Sequence, residues 1–151
     1  MMFLTHVAVG ILATMMFLEA AEPANGIRIT LIVLVASILP DIDHPGSKLG
    51  KKVTLVGFFF RHRGFFHSIW PALLGAWILS NVDDYGRIEV FAFLAGYGAH
   101  LFADMLTKKG IMPFFPINKS VLKGWIRTGS FAEFLVFIVL VASAAWKVLK
   151  F

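Results

Sequence analysis

Apolar residues fall into five long runs, at residues 3–21, 23–39, 65–80, 88–106 and 131–148, separated by stretches that hold most of the charges. A helix crosses a hydrocarbon layer of roughly 30 Å with about 20 residues, within a range of roughly 17–25. The runs are too long, and alternate too little, for barrel strands. Backbone polar groups in lipid must also be satisfied within their own segment, which favours helix. Pro23 fits a first helical turn, and Pro40 is expected to end the second helix. Residues 1–3 carry no basic group, so the first run reads as a retained helix rather than a signal peptide. Internal repeats and low-complexity tracts are absent, and residues 1–151 read as a single integral membrane domain.

Composition narrows the class. Hydrophobic residues make up 58% and charged residues 15% of the 151 positions, against roughly 45–50% and 25% in soluble domains. A soluble fold of this size has too much surface for its volume to bury that much apolar area. The same figures exclude a disordered chain. With no cysteine, disulfide staples, thiolate metal sites and cysteine nucleophiles are excluded as well. The expected fold class is all-α, a polytopic membrane helical bundle of about five transmembrane helices.

The net charge of +5 is first a topology signal. Ten of the 14 Lys and Arg residues fall between runs two and three (Lys48, Lys51, Lys52, Arg61, Arg63) or between runs four and five (Lys108, Lys109, Lys119, Lys123, Arg127). By the positive-inside rule both loops are cytoplasmic. This places the N-terminus in the cytoplasm and the C-terminus outside, with Lys147 and Lys150 against the trend. Two loop stretches, 53–60 (VTLVGFFF) and 111–117 (IMPFFPI), are apolar but too short to span, and are expected at the interface or as re-entrant segments. Gly10, Gly75, Gly96 and Gly98 are expected to permit close helix approach. Tyr97, Trp70 and Trp125 read as packing or interface anchors, and Glu133 as the partner of a basic loop residue.

Ionisable groups in membrane segments are costly, which makes them functional candidates. On the topology drawn from Lys and Arg alone, His6, Asp41, Asp43, His44, His62, His67, His100 and Asp104 all fall at the cytoplasmic ends of four helices. His100 and Asp104 share one helix face at i, i+4 spacing. Asp41 and Asp43, stiffened by Pro40 and Pro45, repel each other unless a cation lies between them. Arg61 and Arg63 flank His62 and precede His67, and arginine forks match phosphate oxygens. Mixed His/Asp sets suit Zn²⁺, Mn²⁺ or Fe²⁺, and there are enough ligands for two ions.

The fragments Thr5-His6 with Gly10, LPDIDHP over 39–45 with Ser47 and Gly50, HRGFFHS over 62–68, and GYGAHLFAD over 96–104 with Leu106, Thr107 and Gly110 resemble the YdjM-like family of inner-membrane proteins. They cover four of the five runs in order, and the combined pattern is specific; Ala99 stands where many members carry Ser. The resemblance implies a metal and hydrolysis, since the family is described as membrane-bound metal-dependent hydrolases. A more distant similarity to zinc-dependent phospholipase C, resting on the His100-x3-Asp104 pair, implies phosphodiester chemistry. Other membrane hydrolases fit less well: no His is followed by Glu as zinc proteases require, and the Arg-x5-His-x3-Asp of lipid phosphatases is broken by Pro71 and Leu94.

The expected function is a metal-dependent hydrolase of the cytoplasmic membrane, cleaving a phosphoester in a phospholipid or lipid-linked substrate. His6, Asp41, Asp43, His67, His100 and Asp104 are the expected metal ligands, with zinc first and Mn or Fe as alternatives. Asp43 bridges ions or serves as general base, His62 is the candidate general acid, and Arg61 and Arg63 orient phosphate. The role of His44 stays open. No nucleic-acid partner is expected. A small metal-ion or proton transporter using the same cluster is the alternative, and a purely structural polar cluster the third reading.

Overall fold

The computed structural model describes residues 1–43 and 64–149, without the side chain of Asp43. Its elements are α1 (Phe3–Ala21), α2 (Gly26–Ile38), a 3-10 turn (Leu39–Asp43), a second 3-10 turn (Phe65–His67), α3 (Ile69–Ser80), α4 (Arg87–Met105) and α5 (Phe131–Val148). Among the described residues there is no β-strand, and pairing is limited to the isolated bridges Thr107↔Ile126 and Ile111↔Leu122. The expected all-helical class and five helices are present. Two of them, α1 and α5, are both long and apolar enough to cross a membrane, while α3 is apolar but only 12 residues long.

Boundaries differ from expectation where side chains or tight turns take over. The second helix starts at Gly26, beyond Pro23, because the Asn25 side chain accepts the Arg28 N–H at 3.0 Å and caps it there. At its other end the α-helix stops at Ile38, ahead of Pro40 as expected, and the chain continues as the 3-10 turn that carries Asp41. The third helix starts at Ile69 rather than residue 65, since Phe65–His67 winds as 3-10 and Ser68 is extended.

Helices α2 and α4 pack most extensively, with α1 beside both, α3 against α4, and α5 against α1. Small residues set these distances. A Cβ on Gly10 would overlap Ser37, and one on Gly96 would overlap the Val33 carbonyl and the Ala36 methyl. Gly98 does not share this role: it is exposed, with nothing within 4 Å of a Cβ built on it. Large apolar side chains such as Ile11, Met16, Trp77 and Phe134 lie on the outside. Thr5, Thr14, Ala36, Ser37 and Ala92 are buried, the distribution expected when helices associate through close contact rather than by escaping water.

Polar contacts fix which helix ends meet. The Met2 N–H donates to Glu133 Oε1 at 2.6 Å, joining the starts of α1 and α5, and Lys147 pairs with Glu19 at their far ends. Arg28 lies 3.7 Å from Glu89, joining the starts of α2 and α4. The Ile69 N–H donates to the Pro113 carbonyl at 2.9 Å, tying the start of α3 to the segment after α4. The starts of α1, α3 and α5 therefore share one end of the bundle with the ends of α2 and α4. Lys147, against the charge trend in sequence, has an acidic partner at the opposite end.

Glu133 differs from expectation. It is fully buried and accepts backbone N–H groups from Met2 and from Gly129 (2.6 Å) rather than pairing with a basic loop residue. The 111–117 stretch is divided: Ile111 is in the core, whereas Phe114 and Ile117 are 50% and 79% exposed.

Candidate metal centre

Four elements bring imidazoles and carboxylates to the shared end of the bundle. α1 supplies His6 from its first turn, the Leu39–Asp43 turn supplies Asp41, the Phe65–His67 turn supplies His67, and α4 supplies His100 and Asp104 from its last two turns. His6, His67, His100 and Asp104 are at most 2% exposed. The Asp41 side chain, at 18%, is the member that reaches the surface.

Asp104 sits between two histidines, with Oδ1 3.2 Å from His6 Nε2 and Oδ2 3.4 Å from His67 Nε2. Oδ1 also receives the Met1 ammonium. Asp41 Oδ1 lies 3.8 Å from His67 Nε2 and 3.9 Å from His100 Nε2. The His6 and His100 rings stack with centroids 4.0 Å apart and planes 8° apart, and His67 meets His100 edge-on at 5.3 Å. In each of two groups, His6–His100–Asp104 and Asp41–His67–His100, the potential ligand atoms lie within 4.8 Å of one another. His100 belongs to both.

Backbone and neighbours aim these side chains. His100 Nδ1 is 2.7 Å from the Ser37 carbonyl. A carbonyl only accepts, so Nδ1 carries the proton and Nε2 is turned toward the centre, as in metal-ligating histidines. The Tyr97 hydroxyl, on a fully buried side chain one turn before His100, donates to the Phe66 carbonyl at 2.6 Å and anchors the turn that carries His67. The Thr107 hydroxyl donates to the Asp104 carbonyl at 2.7 Å and caps the end of α4.

The arrangement fits a divalent cation. His100 Nε2 and His6 Nδ1 are buried without a hydrogen-bond partner among the described residues, an uncommon state for imidazole nitrogens. Three imidazoles and two carboxylates around one centre form the N/O donor set that suits zinc, manganese or ferrous iron. Such a set can hold a cation and present it to a phosphate oxygen.

Of the expected ligands, His6, Asp41, His67, His100 and Asp104 come together. The side chain of Asp43, together with His44, Arg61, His62, Arg63 and the 53–60 stretch, lies outside the described residues. Sequence reasoning missed the positioning parts: the Ser37 carbonyl, the Tyr97 hydroxyl and Glu133. Tyr97 carried a usable signal, being three residues before His100 and so on its face of the helix. A backbone carbonyl such as that of Ser37 carries none.

The chain matches the family model described as YdjM inner membrane protein over residues 1–150. It is 36% identical over 107 residues to the protein YvsG of Bacillus subtilis (strain 168), covering 68% of this chain and 66% of that one. It is 34% identical over 91 residues to the inner membrane protein YdjM of Escherichia coli (strain K12), covering 55% of this chain and 46% of the relative. The chain thus spans about two thirds of the first relative's length and about half of the second's. No solved structure matches it. With the match running through all four His/Asp-bearing elements, the chain belongs to the YdjM family of inner membrane proteins.

Proposed function

We propose that the chain is a membrane-embedded, metal-dependent hydrolase that cleaves a phosphoester of a phospholipid or lipid-linked substrate at the cytoplasmic face. The observation that carries this reading is the meeting of His6, Asp41, His67, His100 and Asp104 from four elements, with buried imidazole nitrogens left for a cation. The topology is part of the proposal: five spans, N-terminus in the cytoplasm. Alternating helix directions and the outward apolar side chains support it.

Under this reading the five side chains hold one divalent ion or two, with zinc first among them. When bound, the metal supplies Lewis acidity toward a phosphoryl oxygen. The protein's own groups prepare the site. Asp104 holds His6 and His67 in register, the Ser37 carbonyl sets the His100 tautomer, and burial of the imidazoles keeps bulk water from competing. Asp41 marks the open side, where substrate enters. Asp43 is assigned the proton-accepting role, His62 the proton-donating role, and Arg61 and Arg63 the non-reacting phosphate oxygens.

Hydrolysis is preferred over transport because a transporter needs a second polar station along the bundle. Between the centre and the Arg28–Glu89 pair at the far end, the described apolar core of α2 and α4 is Ile29, Val33, Ala36, Ala92 and Phe93. The test is elemental analysis of purified protein, with hydrolysis of phosphatidylglycerol vesicles in Zn²⁺ or Mn²⁺. Wild type is expected to carry metal and release product, and His100→Ala and Asp104→Ala to lose both. Metal-free wild type with turnover unaffected by either substitution overturns the reading, and metal flux into proteoliposomes without hydrolysis replaces it with transport.

A further inference from the structure

A groove of about 590 Å³ opens on the flank of the bundle between α2 and α3. Its α2 wall is Leu31, Val35 and Leu39, its α3 wall includes Leu74 and Ile78, and Phe93 of α4 forms the floor. Every lining residue is apolar. Leu31, Val35, Leu74 and Ile78 are each 50% exposed or more, so the groove faces whatever surrounds the protein. Gly75 lets the Phe93 ring pack directly against α3, since a Cβ there would run into it.

One end of this groove meets the metal centre. Leu39 is two residues from Asp41, and Phe65 and Phe66, which close that end, directly precede His67. Asp41 is also the member of the centre that reaches the surface. From Leu39 the groove runs along α2 to Leu31, about 12 Å at 1.5 Å per residue. That is close to the depth of one leaflet, roughly half of a 30 Å hydrocarbon layer. A ligand filling both places has an apolar tail of leaflet depth and an anionic head at a cation-holding cluster.

We propose that this groove is the acyl-chain site of a phospholipid whose phosphate reaches the His/Asp centre. The proposal rests on the reading of that centre as a phosphoester site, and it assigns substrate selection to Val35, Leu74 and Ile78 on the groove walls. The phosphate supplies oxygen donors that a divalent cation held by these imidazoles and carboxylates can accept as further ligands. The tail supplies the apolar surface that the walls of α2 and α3 otherwise lack.

The experiment uses full-length protein in phosphatidylethanolamine/phosphatidylglycerol vesicles doped with phosphatidylglycerol carrying a diazirine midway along one acyl chain. After irradiation, labelled peptides are mapped by mass spectrometry. Label is expected to concentrate on α2 and α3 at Leu31, Val35, Leu74 and Ile78, and to drop several-fold there in Val35→Trp and in Leu74→Trp. Both positions are exposed, so the new ring fills the groove without repacking the core. Label spread over exposed positions of α1 and α5 such as Leu4 and Val139 in proportion to their exposure overturns the proposal. Labelling requires neither metal nor turnover. A scattered label with intact hydrolysis therefore refutes the groove alone, and a groove label without metal or hydrolysis refutes the hydrolase reading alone.

Discussion

Replacing Tyr97 by Phe tests how the centre is held rather than what it binds. The ring of Tyr97 is fully buried beside Phe93, and phenylalanine keeps its volume. Among the described residues the hydrogen bond that disappears runs from the hydroxyl to the Phe66 carbonyl at 2.6 Å. Such a bond contributes about 0.5–1.5 kcal/mol in proteins generally, and about 0.6 on average between membrane helices. The bond fastens the Phe65–His67 turn, so its loss also frees His67 to leave Asp104 and Asp41. If that ordering is carried into cation binding, zinc affinity falls about threefold to tenfold, because 1.4 kcal/mol is a factor of ten. The assay is competition of purified protein against a zinc chelator of known affinity, with thermal unfolding of the metal-free form in parallel. In a His67→Ala background the substitution is expected to change zinc affinity no further, since the coupled partner is gone. Unchanged affinity in Tyr97→Phe, with His67→Ala strongly impaired, would refute the idea that the hydroxyl positions the turn. A loss beyond about a hundredfold would refute it from the other side, exceeding what an outer-shell contact contributes.

Four further outcomes follow from packing and hydrogen bonding. Gly96→Val forces a side chain into the Val33 carbonyl and is expected to destabilise the bundle by about 1–3 kcal/mol in reversible detergent unfolding. Gly98→Ala, two residues away with open space around it, should leave stability unchanged or raise it by about 0.5–1 kcal/mol through helix propensity. Glu133→Ala leaves the Met2 and Gly129 N–H groups without their acceptor and is expected to cost about 1–3 kcal/mol in the same measurement, with Glu133→Gln recovering part of it. Ser37→Ala removes a hydroxyl that serves Leu34 but keeps the carbonyl that serves His100, so metal content by elemental analysis should stay at the wild-type level.

The five helices were legible in the apolar runs to within a few residues, because backbone polar groups placed in lipid have to be satisfied by winding within their own segment. The sequence also brings eight His and Asp residues to one level, and the five of these whose side chains are described, His6, Asp41, His67, His100 and Asp104, meet there. Helix boundaries were less legible, since the Asn25 cap and the 3-10 winding at Leu39–Asp43 and Phe65–His67 are local features that periodicity does not register. Which carboxylate oxygen serves which imidazole, and which carbonyl orients His100, follow from the packed helices alone. The same packing revealed that Glu133 answers to backbone rather than to a lysine, and that an open groove ends beside the centre. Those relations join residues up to 131 positions apart in the chain, and they depend on interhelical distances set by contacts such as Gly10 against Ser37 and Gly96 against Val33. A one-dimensional pattern records which residues share a level. How closely two helices approach follows from the fit of both surfaces at once, and no single stretch of sequence contains both.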